Sequence, residues 1–277
     1  MAITGLRVDK EEDERLINVR QRFYADEVKL TIDRKRCIVC DICLKLCPKD
    51  AITLVESDDE VRITIDPQKC VLCGACEPLC PTNAVTLTLN GTRNNTLVKN
   101  GGFPLPLPKI RVDKEKCPAD CTKCVDVCPV HAITIGAKHE LAVNEADCLR
   151  CPWCVDACDK GAIIVNPMFL GSIRIDISKC SEGCDLCVKS CPTKAISLKN
   201  GSVSVSPRYC VLCGACLNVC KDNAIALRRY RVLAQDGFSA IWSSALKKLM
   251  DERLATRELD HRTKQKLISI MTESRSI

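Results

Sequence analysis

The stretch from residue 70 to residue 81 reads Cys-Val-Leu-Cys-Gly-Ala-Cys-Glu-Pro-Leu-Cys-Pro. Its first three thiols recur every third residue, so one loop can wrap three corners of an iron–sulfur cubane while a fourth thiol comes from elsewhere. In paired runs of this spacing, the fourth cysteine of each run ligates the cluster of its partner run. Five other stretches repeat the spacing almost unchanged. The sequence therefore predicts three pairs of runs and six [4Fe-4S] clusters.

Variation among the six runs indicates which of them pair. The third and fifth runs carry an extra residue in their first gap, in Cys117–Cys121 and Cys180–Cys184. The fourth and sixth runs lack the proline after the last cysteine, where Asp159 and Lys221 stand. Because the variation alternates with a period of two runs, the repeating unit is a pair. The first run therefore pairs with the second, the third with the fourth and the fifth with the sixth.

Crossed ligation within each pair uses every cysteine once. The predicted ligand sets are Cys37, Cys40, Cys43 with Cys80; Cys70, Cys73, Cys76 with Cys47; Cys117, Cys121, Cys124 with Cys158; Cys148, Cys151, Cys154 with Cys128; Cys180, Cys184, Cys187 with Cys220; and Cys210, Cys213, Cys216 with Cys191.

Each run lies in the same local frame. The residue four before the first cysteine has a side chain that favours turns, and a small residue followed by a β-branched one comes after the last cysteine, as in Ala84-Val85. Each repeat therefore reads as strand, turn, cluster loop, short helical turn and strand, which predicts an α+β fold. The turn residues are Asp33, Asp66, Asp113, Asn144, Asp176 and Ser206.

Segments outside the repeats predict helical ends and one linker. Leu16, Val19 and Phe23 recur at spacings of three and four, which favours a helical N-terminal arm. A helix is predicted from Ser239, with Trp242 on its apolar face, and it either folds back on the last domain or, as Trp242 slightly favours, lies against another subunit. The predicted division is 1–27 arm, 28–91 first domain, 92–109 stiff extended linker, 110–168 second domain, 169–229 third domain and 230–277 helical tail. The helical face of the tail continues through Leu246, Leu249 and Leu254, and a second helix from Asp260 carries Leu267, Ile270 and Met271.

Composition narrows the class of protein. The formal charge of +6 counts all 24 cysteines as neutral, and loading with six oxidised clusters brings the charge to about −6, which disfavours nucleic acid as a partner. No signal peptide or membrane-spanning stretch is visible, so we expect a cytoplasmic protein with reduced thiols. No nucleotide-binding motif, flavin-binding motif or catalytic constellation is visible either, which indicates electron transfer without bond chemistry.

The cysteine runs resemble those of the bacterial-type two-[4Fe-4S] ferredoxins over nearly all of residues 28–228, and in tandem they resemble a polyferredoxin. Asn100-Gly101-Gly102-Phe103-Pro104, the two longer first gaps and Trp153 are most similar to the polyferredoxin subunit of tungsten- or molybdenum-dependent formylmethanofuran dehydrogenase of methanogens and related archaea. That resemblance implies exchange of low-potential electrons with a pterin-containing subunit that interconverts CO2 and formate. The chain departs from fuller members of that group in having three ferredoxin units instead of four.

Two other functions compete with this reading. One is a polyferredoxin that serves a hydrogenase or a heterodisulfide reductase, with a soluble ferredoxin as a further candidate partner. The other is a zinc-binding scaffold, although structural zinc sites usually present two C-x2-C pairs a dozen or more residues apart. Iron and sulfide content separates the zinc scaffold from both electron carriers.

Overall fold

A computed structural model describes residues 8–57, 60–118, 121–136, 141–235, 239–250, 253, 255–257 and 260. Its strands are β1 Asp9–Glu12, β2 Leu16–Phe23, β3 Asp26–Asp33, β4 Ile52–Ser57, β5 Glu60–Ile65, β6 Val85–Leu89, β7 Thr92–Arg93, β8 Ile110–Val112, β9 Ile133–Ile135, β10 Leu141–Val143, β11 Ile163–Val165, β12 Phe169–Ile175, β13 Ile196–Lys199, β14 Ser202–Val205 and β15 Ile225–Val232. Its helices are α1 Ile42–Leu46, α2 Thr96–Lys99, α3 Lys123–Asp126, α4 Trp153–Asp156, α5 Leu186–Lys189, α6 Ala215–Val219 and α7 Ala240–Leu249.

One strand arrangement occurs three times. In the first unit, the strand before the first cysteine run, β3, pairs antiparallel with the strand after the second run, β6, and the strands between the runs, β4 and β5, pair with each other. The middle unit repeats this with β8 on β11 and β9 on β10. The last unit repeats it with β12 on β15 and β13 on β14. Strand pairing therefore joins the runs first to second, third to fourth and fifth to sixth.

The N-terminal segment is a β-hairpin in its described part, so the predicted helical arm is wrong there. Strand β2 pairs with both β1 and β3 and extends the sheet of the first unit to five strands. Ile17 and Val19 are fully buried, whereas Phe23 is 37% exposed. The buried side chains thus alternate with a period of two, as in a strand. The spacing of Leu16, Val19 and Phe23 is too short a pattern to distinguish a helical period from this one.

The segment predicted as a stiff extended linker is partly folded. Strand β7 pairs with β6, and Asn95 caps α2 by accepting a hydrogen bond from the Val98 amide. Phe103 is 1% exposed and lies in the core shared by the first and last units. Through Phe103 this segment is therefore packed against the first and last units, and only its later, proline-rich part runs without helix or long strand.

The helix predicted from Ser239 is present as α7. The Ser239 hydroxyl caps it by accepting from the Trp242 amide, and Trp242 and Leu246 are fully buried. The Trp242 ring meets Phe103 edge to face at 5.0 Å between centroids. The slight preference for an interface with another subunit is wrong, because Trp242 is covered by this chain and α7 contacts α1 of the first unit. Leu254 and the second predicted helix around Leu267, Ile270 and Met271 lie outside the described residues.

The three units contact one another through side chains at each junction. Arg36 of the first unit pairs with Asp147 of the middle unit at 2.8 Å. The Trp153 indole of the middle unit donates to the carbonyl oxygen of Thr193 in the last unit at 2.8 Å and stacks on Tyr209. At the third junction, Arg229 of the last unit pairs with Asp41 of the first unit. In the described part of the chain, no helix is long and apolar enough to cross a bilayer.

Candidate functional site

The turn before each cysteine run is built as the sequence predicts in five of six cases. In those five, the side-chain oxygen accepts a hydrogen bond from the amide two residues later, at 2.9 to 3.2 Å, while Ser206 makes no such bond. In all six cases, the amide of this residue donates to an alanine carbonyl in the partner run at 2.8 Å. This contact links each run to its partner. The bonds run from Asp33 to Ala84, Asp66 to Ala51, Asp113 to Ala162, Asn144 to Ala132, Asp176 to Ala224 and Ser206 to Ala195.

The fourth cysteine of every run accepts a backbone hydrogen bond on its sulfur. In each case the donor is the amide of the alanine four residues later, and the N to Sγ distance is 3.2 to 3.3 Å. Such bonds fix the sulfur position and stabilise negative charge on it, which tunes a ligand toward a metal centre. The bonds join Ala51 to Cys47, Ala84 to Cys80, Ala132 to Cys128, Ala162 to Cys158, Ala195 to Cys191 and Ala224 to Cys220.

Left-handed backbone turns shape the loops at two repeated positions. The residue before the second cysteine has a positive φ in each of the five runs where it is described, as at Leu72 (φ 52°). The residue three after the fourth cysteine has a positive φ in all six runs, and Gly161 is the glycine among them. Because non-glycine residues rarely adopt this conformation, its recurrence indicates that the loop geometry itself is required.

Three of the predicted ligand sets line separate cavities, each bounded by three cysteines of one run and the fourth cysteine of its partner. A set of four thiols around a cavity fits a cubane, whose four irons each take one thiolate. The sets are Cys70, Cys73, Cys76 with Cys47; Cys180, Cys184, Cys187 with Cys220; and Cys210, Cys213, Cys216 with Cys191.

In the middle unit, electrostatics show which thiols lie together. Burial, and then the charges of Cys151, Cys148, Cys128 and Cys124, raise the pKa of Cys154 to about 12. Burial raises the pKa of Cys151 to about 11, and the charges of Cys148 and Cys128 add to the effect.

The remaining sets show the same neighbourhoods. Burial raises the pKa of Cys124, with Cys117, Cys121 and Cys158 as the charged neighbours. Burial likewise raises the pKa of Cys37, and Cys80 is the neighbouring thiol that acts in the same direction. Buried thiols that repel one another as thiolates need positive charge between them, which bound iron supplies. The residues present therefore fit [4Fe-4S] clusters.

Exposure differs among the ligand sets. All four cysteines of the Cys148 set, which includes Cys128, are buried. The two sets with the longer first gap are the most open, because Cys124 alone is buried in one and Cys187 alone in the other. The longer gap therefore coincides with the thiols nearest to water, a property that the sequence did not reveal.

Buried charges at the unit junctions were missed from sequence. Arg229 is 2% exposed, and it donates to the carbonyl oxygen of Cys213 at 3.0 Å and to Asp41, the neighbour of Cys40, at 2.6 Å. Burial alone would raise the pKa of Asp41, but the charge of Arg229 and its hydrogen bonds lower it below the ordinary value. Lys109 and Arg150 are buried beside Cys148, and burial lowers the pKa of both. No local pattern marks these residues, because their surroundings form only when the units meet.

Comparison with known proteins agrees with the cysteine geometry. Two family descriptions of a 4Fe-4S dicluster domain match the chain, one at residues 36–84 and 108–162 and the other at residues 172–221. A ferredoxin of Methanothermococcus thermolithotrophicus is 35% identical over 58 residues, which are 21% of this chain and 97% of that ferredoxin.

Two longer relatives extend the comparison. The polyferredoxin protein MvhB of Methanothermobacter marburgensis is 32% identical over 112 residues, or 37% of this chain and 26% of MvhB, so the match spans about a quarter of that relative. A chain of the formate dehydrogenase, heterodisulfide reductase and formylmethanofuran dehydrogenase complex of Methanospirillum hungatei matches with a TM-score of 0.80 at 29% identity. That match covers 89% of this chain and 93% of the other. The chain belongs to the 4Fe-4S dicluster ferredoxins and is a polyferredoxin that carries several [4Fe-4S] clusters.

Proposed function

We propose that this chain is the electron-transfer subunit of a formylmethanofuran dehydrogenase complex, exchanging low-potential electrons with a tungsten- or molybdenum-pterin subunit that interconverts CO2 and formate. The observation that carries the proposal is the match to a chain of the M. hungatei complex over 89% of this polypeptide. Such coverage includes the junctions between units as well as the units themselves, so it supports the same use of the whole chain.

Six clusters held by crossed ligation complete the proposal. The three cavities lined by crossed sets of thiols support this assignment for three clusters, and the electrostatic neighbours of Cys37, Cys124 and Cys154 support it for the other three. The three repeated units then correspond to three ferredoxin domains, within the predicted boundaries 28–91, 110–168 and 169–229.

The polypeptide sets the surroundings of each electron that a cluster would carry. Each [4Fe-4S] cluster, when bound, accepts and releases one electron at a potential set by its surroundings. The apolar residues Leu72, Ile173 and Ile196 lie beside the cavities and exclude water, and the six alanine amides hold the fourth sulfur of each run. Because these parts are in place before any electron arrives, little reorganisation accompanies the change of charge.

The more exposed ligand sets are the places where electrons enter and leave the chain. Electron exchange with another protein requires a centre close to the surface. The half-buried thiols Cys117, Cys121, Cys180 and Cys184 meet that requirement, whereas the buried set at Cys148 serves internal transfer.

A second candidate is a relay for a heterodisulfide reductase or a hydrogenase. The M. hungatei complex also contains a heterodisulfide reductase, and MvhB is a polyferredoxin that shares 32% identity with part of this chain. Both observations favour electron relay and leave the partner to be tested.

The partner is tested by anaerobic isolation of the chain from its native cell. We expect co-purification with a subunit that contains tungsten or molybdenum and a pterin, and reduction of the iron–sulfur centres when formate is supplied. Co-purification with a hydrogenase, without tungsten or molybdenum, would contradict the first candidate and favour the second. The chain carries an affinity tag in this isolation, and the control is the same procedure on cells whose chain is untagged.

A further inference from the structure

We propose that Lys109 holds an unneutralised positive charge between two clusters, the one ligated by Cys80 and the one ligated by Cys148, and raises the reduction potential of both. Lys109 thereby stabilises an added electron on either side of the junction between the first and middle units. The inference rests on the proposed function and on the crossed ligand assignment.

The contacts of Lys109 place its ammonium group on two ligand loops at once. Lys109 directly precedes β8 and is 7% exposed. Its Nζ donates to the carbonyl oxygen of Pro81, the residue after Cys80, at 3.1 Å. It also donates to the carbonyl oxygen of Cys148 at 2.9 Å. One buried cation therefore bridges the backbone of two cluster loops that belong to different units.

The charge of Lys109 is not neutralised by an ion pair within the described residues. Other basic residues at the junctions have carboxylate partners, as Arg229 has Asp41 and Arg36 has Asp147. Glu145 is the acid whose charge acts on Lys109, but no carboxylate forms an ion pair with it in the described part of the chain. Arg150 lies nearby, 4% exposed, and likewise has carbonyl oxygen as its partner, that of Asn166 at 3.0 Å.

Burial of a cation is costly unless negative charge lies beside it. Two all-thiolate [4Fe-4S] clusters supply that charge, and each becomes more negative by one unit on reduction. Transfer across this junction oxidises one of these centres and reduces the other by one electron, so no further reactant is needed. In a site of effective dielectric about 20, a unit charge about 12 Å away changes such an equilibrium by roughly tenfold. For a one-electron couple, a tenfold change corresponds to about 59 mV.

Three substitutions separate the charge of Lys109 from its hydrogen bonds. Lys109→Met removes both, Lys109→Gln keeps a donor without the charge, and Lys109→Arg keeps the charge. Lys248→Met is the matched control, because Lys248 donates to the carbonyl oxygen of ligand Cys47 at 3.0 Å but is paired with Asp50. Each variant of the full chain is purified anaerobically, assayed for iron, and titrated electrochemically while the reduced clusters are followed by EPR.

We expect Lys109→Gln and Lys109→Met to make reduction of two of the six clusters less favourable, with an equilibrium constant about tenfold lower. Lys109→Arg and Lys248→Met are expected to stay close to wild type. A full iron content with unchanged potentials in Lys109→Gln would overturn the inference. Loss of iron in Lys109→Met together with wild-type potentials in Lys109→Gln would also overturn it, because Lys109 would then act through its hydrogen bonds and not through its charge. Failure of the proposed function appears separately: a wild-type chain without six reducible clusters would refute the ligand assignment, and co-purification with a hydrogenase would refute the proposed partner.

Discussion

At the scale of single residues, the crossed assignment of ligands gives a result that ligation within each run does not give. Cys80 and Cys37 belong to one predicted cluster, whereas Cys80 and Cys70 belong to two. The pairs of substitutions Cys80→Ser with Cys37→Ser, and Cys80→Ser with Cys70→Ser, therefore remove different amounts of iron.

We expect the first double variant to keep about 20 irons per chain and the second about 16, since each lost cubane removes four. Iron analysis with EPR of the reduced protein measures the difference. If each run held its own cluster with its own four cysteines, the two double variants would give the opposite order, and crossed ligation would be refuted.

Gly161 tests the recurring left-handed position after the fourth cysteine. Its φ is +61°, and an added Cβ would meet no atom within 4 Å, so the cost of a side chain there is purely conformational. We expect Gly161→Ala to destabilise the middle unit by about 1 kcal/mol. Gly161→Asn is expected to cost less, because Asn83 and Asn223 occupy the equivalent position in other runs.

The measurement for both Gly161 variants is the temperature at which the anaerobic protein loses its visible cluster absorbance. A lower temperature for the alanine variant than for the asparagine variant is expected. Equal temperatures would mean that the backbone at this position adopts another conformation.

At the scale of elements, the hairpin that includes β2 is held by residues that a helix would have placed elsewhere. Ile17 is fully buried and pairs across the sheet with Ile32, whereas Phe23 is 37% exposed. Truncation of a buried isoleucine to alanine typically costs about 2 to 5 kcal/mol. We therefore expect Ile17→Ala to destabilise the hairpin strongly, and Phe23→Ala to change its stability by less than about 1 kcal/mol.

Hydrogen exchange of the β2 and β3 amides in the full chain follows both variants. Faster exchange in Ile17→Ala alone supports the observed hairpin. A larger effect of Phe23→Ala would instead favour the amphipathic helix that the spacing of Leu16, Val19 and Phe23 predicts.

How well an element could be predicted depended on where its partners lie in the chain. Strand β3, the turn at Asp33 and the start of α7 at Ser239 are set by neighbouring residues, and the sequence predicted them. The position of α7 was not predictable, because its tryptophan packs on Phe103, far away in the chain. The N-terminal hairpin was missed because eight residues can satisfy either period until a sheet edge selects one.

At the scale of the molecule, the candidate site residues were also predictable only where their partners are close in the chain. The ligand spacing of each run is local, so the sequence predicts a ligand set for all 24 cysteines, and three of these sets line cavities. The buried cations between units could not, because Lys109 meets Cys148 and Arg229 meets Asp41 only when separate units pack. These residues join separate units, which no single repeat encodes.

The junction between the last and first units depends on the buried pair of Arg229 and Asp41. Its side chains are 1% and 11% exposed, and removal of one partner of a buried pair costs about 3 to 5 kcal/mol. We expect Arg229→Met to loosen this junction and to raise the rate of its cleavage in limited proteolysis on the order of a hundredfold. Arg36→Met is the control, because Arg36 and Asp147 form a pair that is 33% and 43% exposed, worth about 0 to 1 kcal/mol.

In Arg229→Met the buried Asp41 carboxylate keeps, among the described residues, only Lys45 as an ion-pair partner, at 2.6 Å. Combining Arg229→Met with Asp41→Asn removes that carboxylate charge, so we expect the double variant to recover part of the resistance to protease. Equal cleavage of Arg229→Met and Arg36→Met would mean that the buried pair does not hold the units together.

The central claim is that this polypeptide uses all of its thiols to hold six cubanes. Iron and acid-labile sulfide analysis of the anaerobically purified full chain tests it most directly. We predict about 24 irons and about 24 sulfides per chain, with EPR signals of reduced [4Fe-4S] clusters after reduction. Zinc in place of iron, or about 16 irons or fewer in carefully protected protein, would contradict the account.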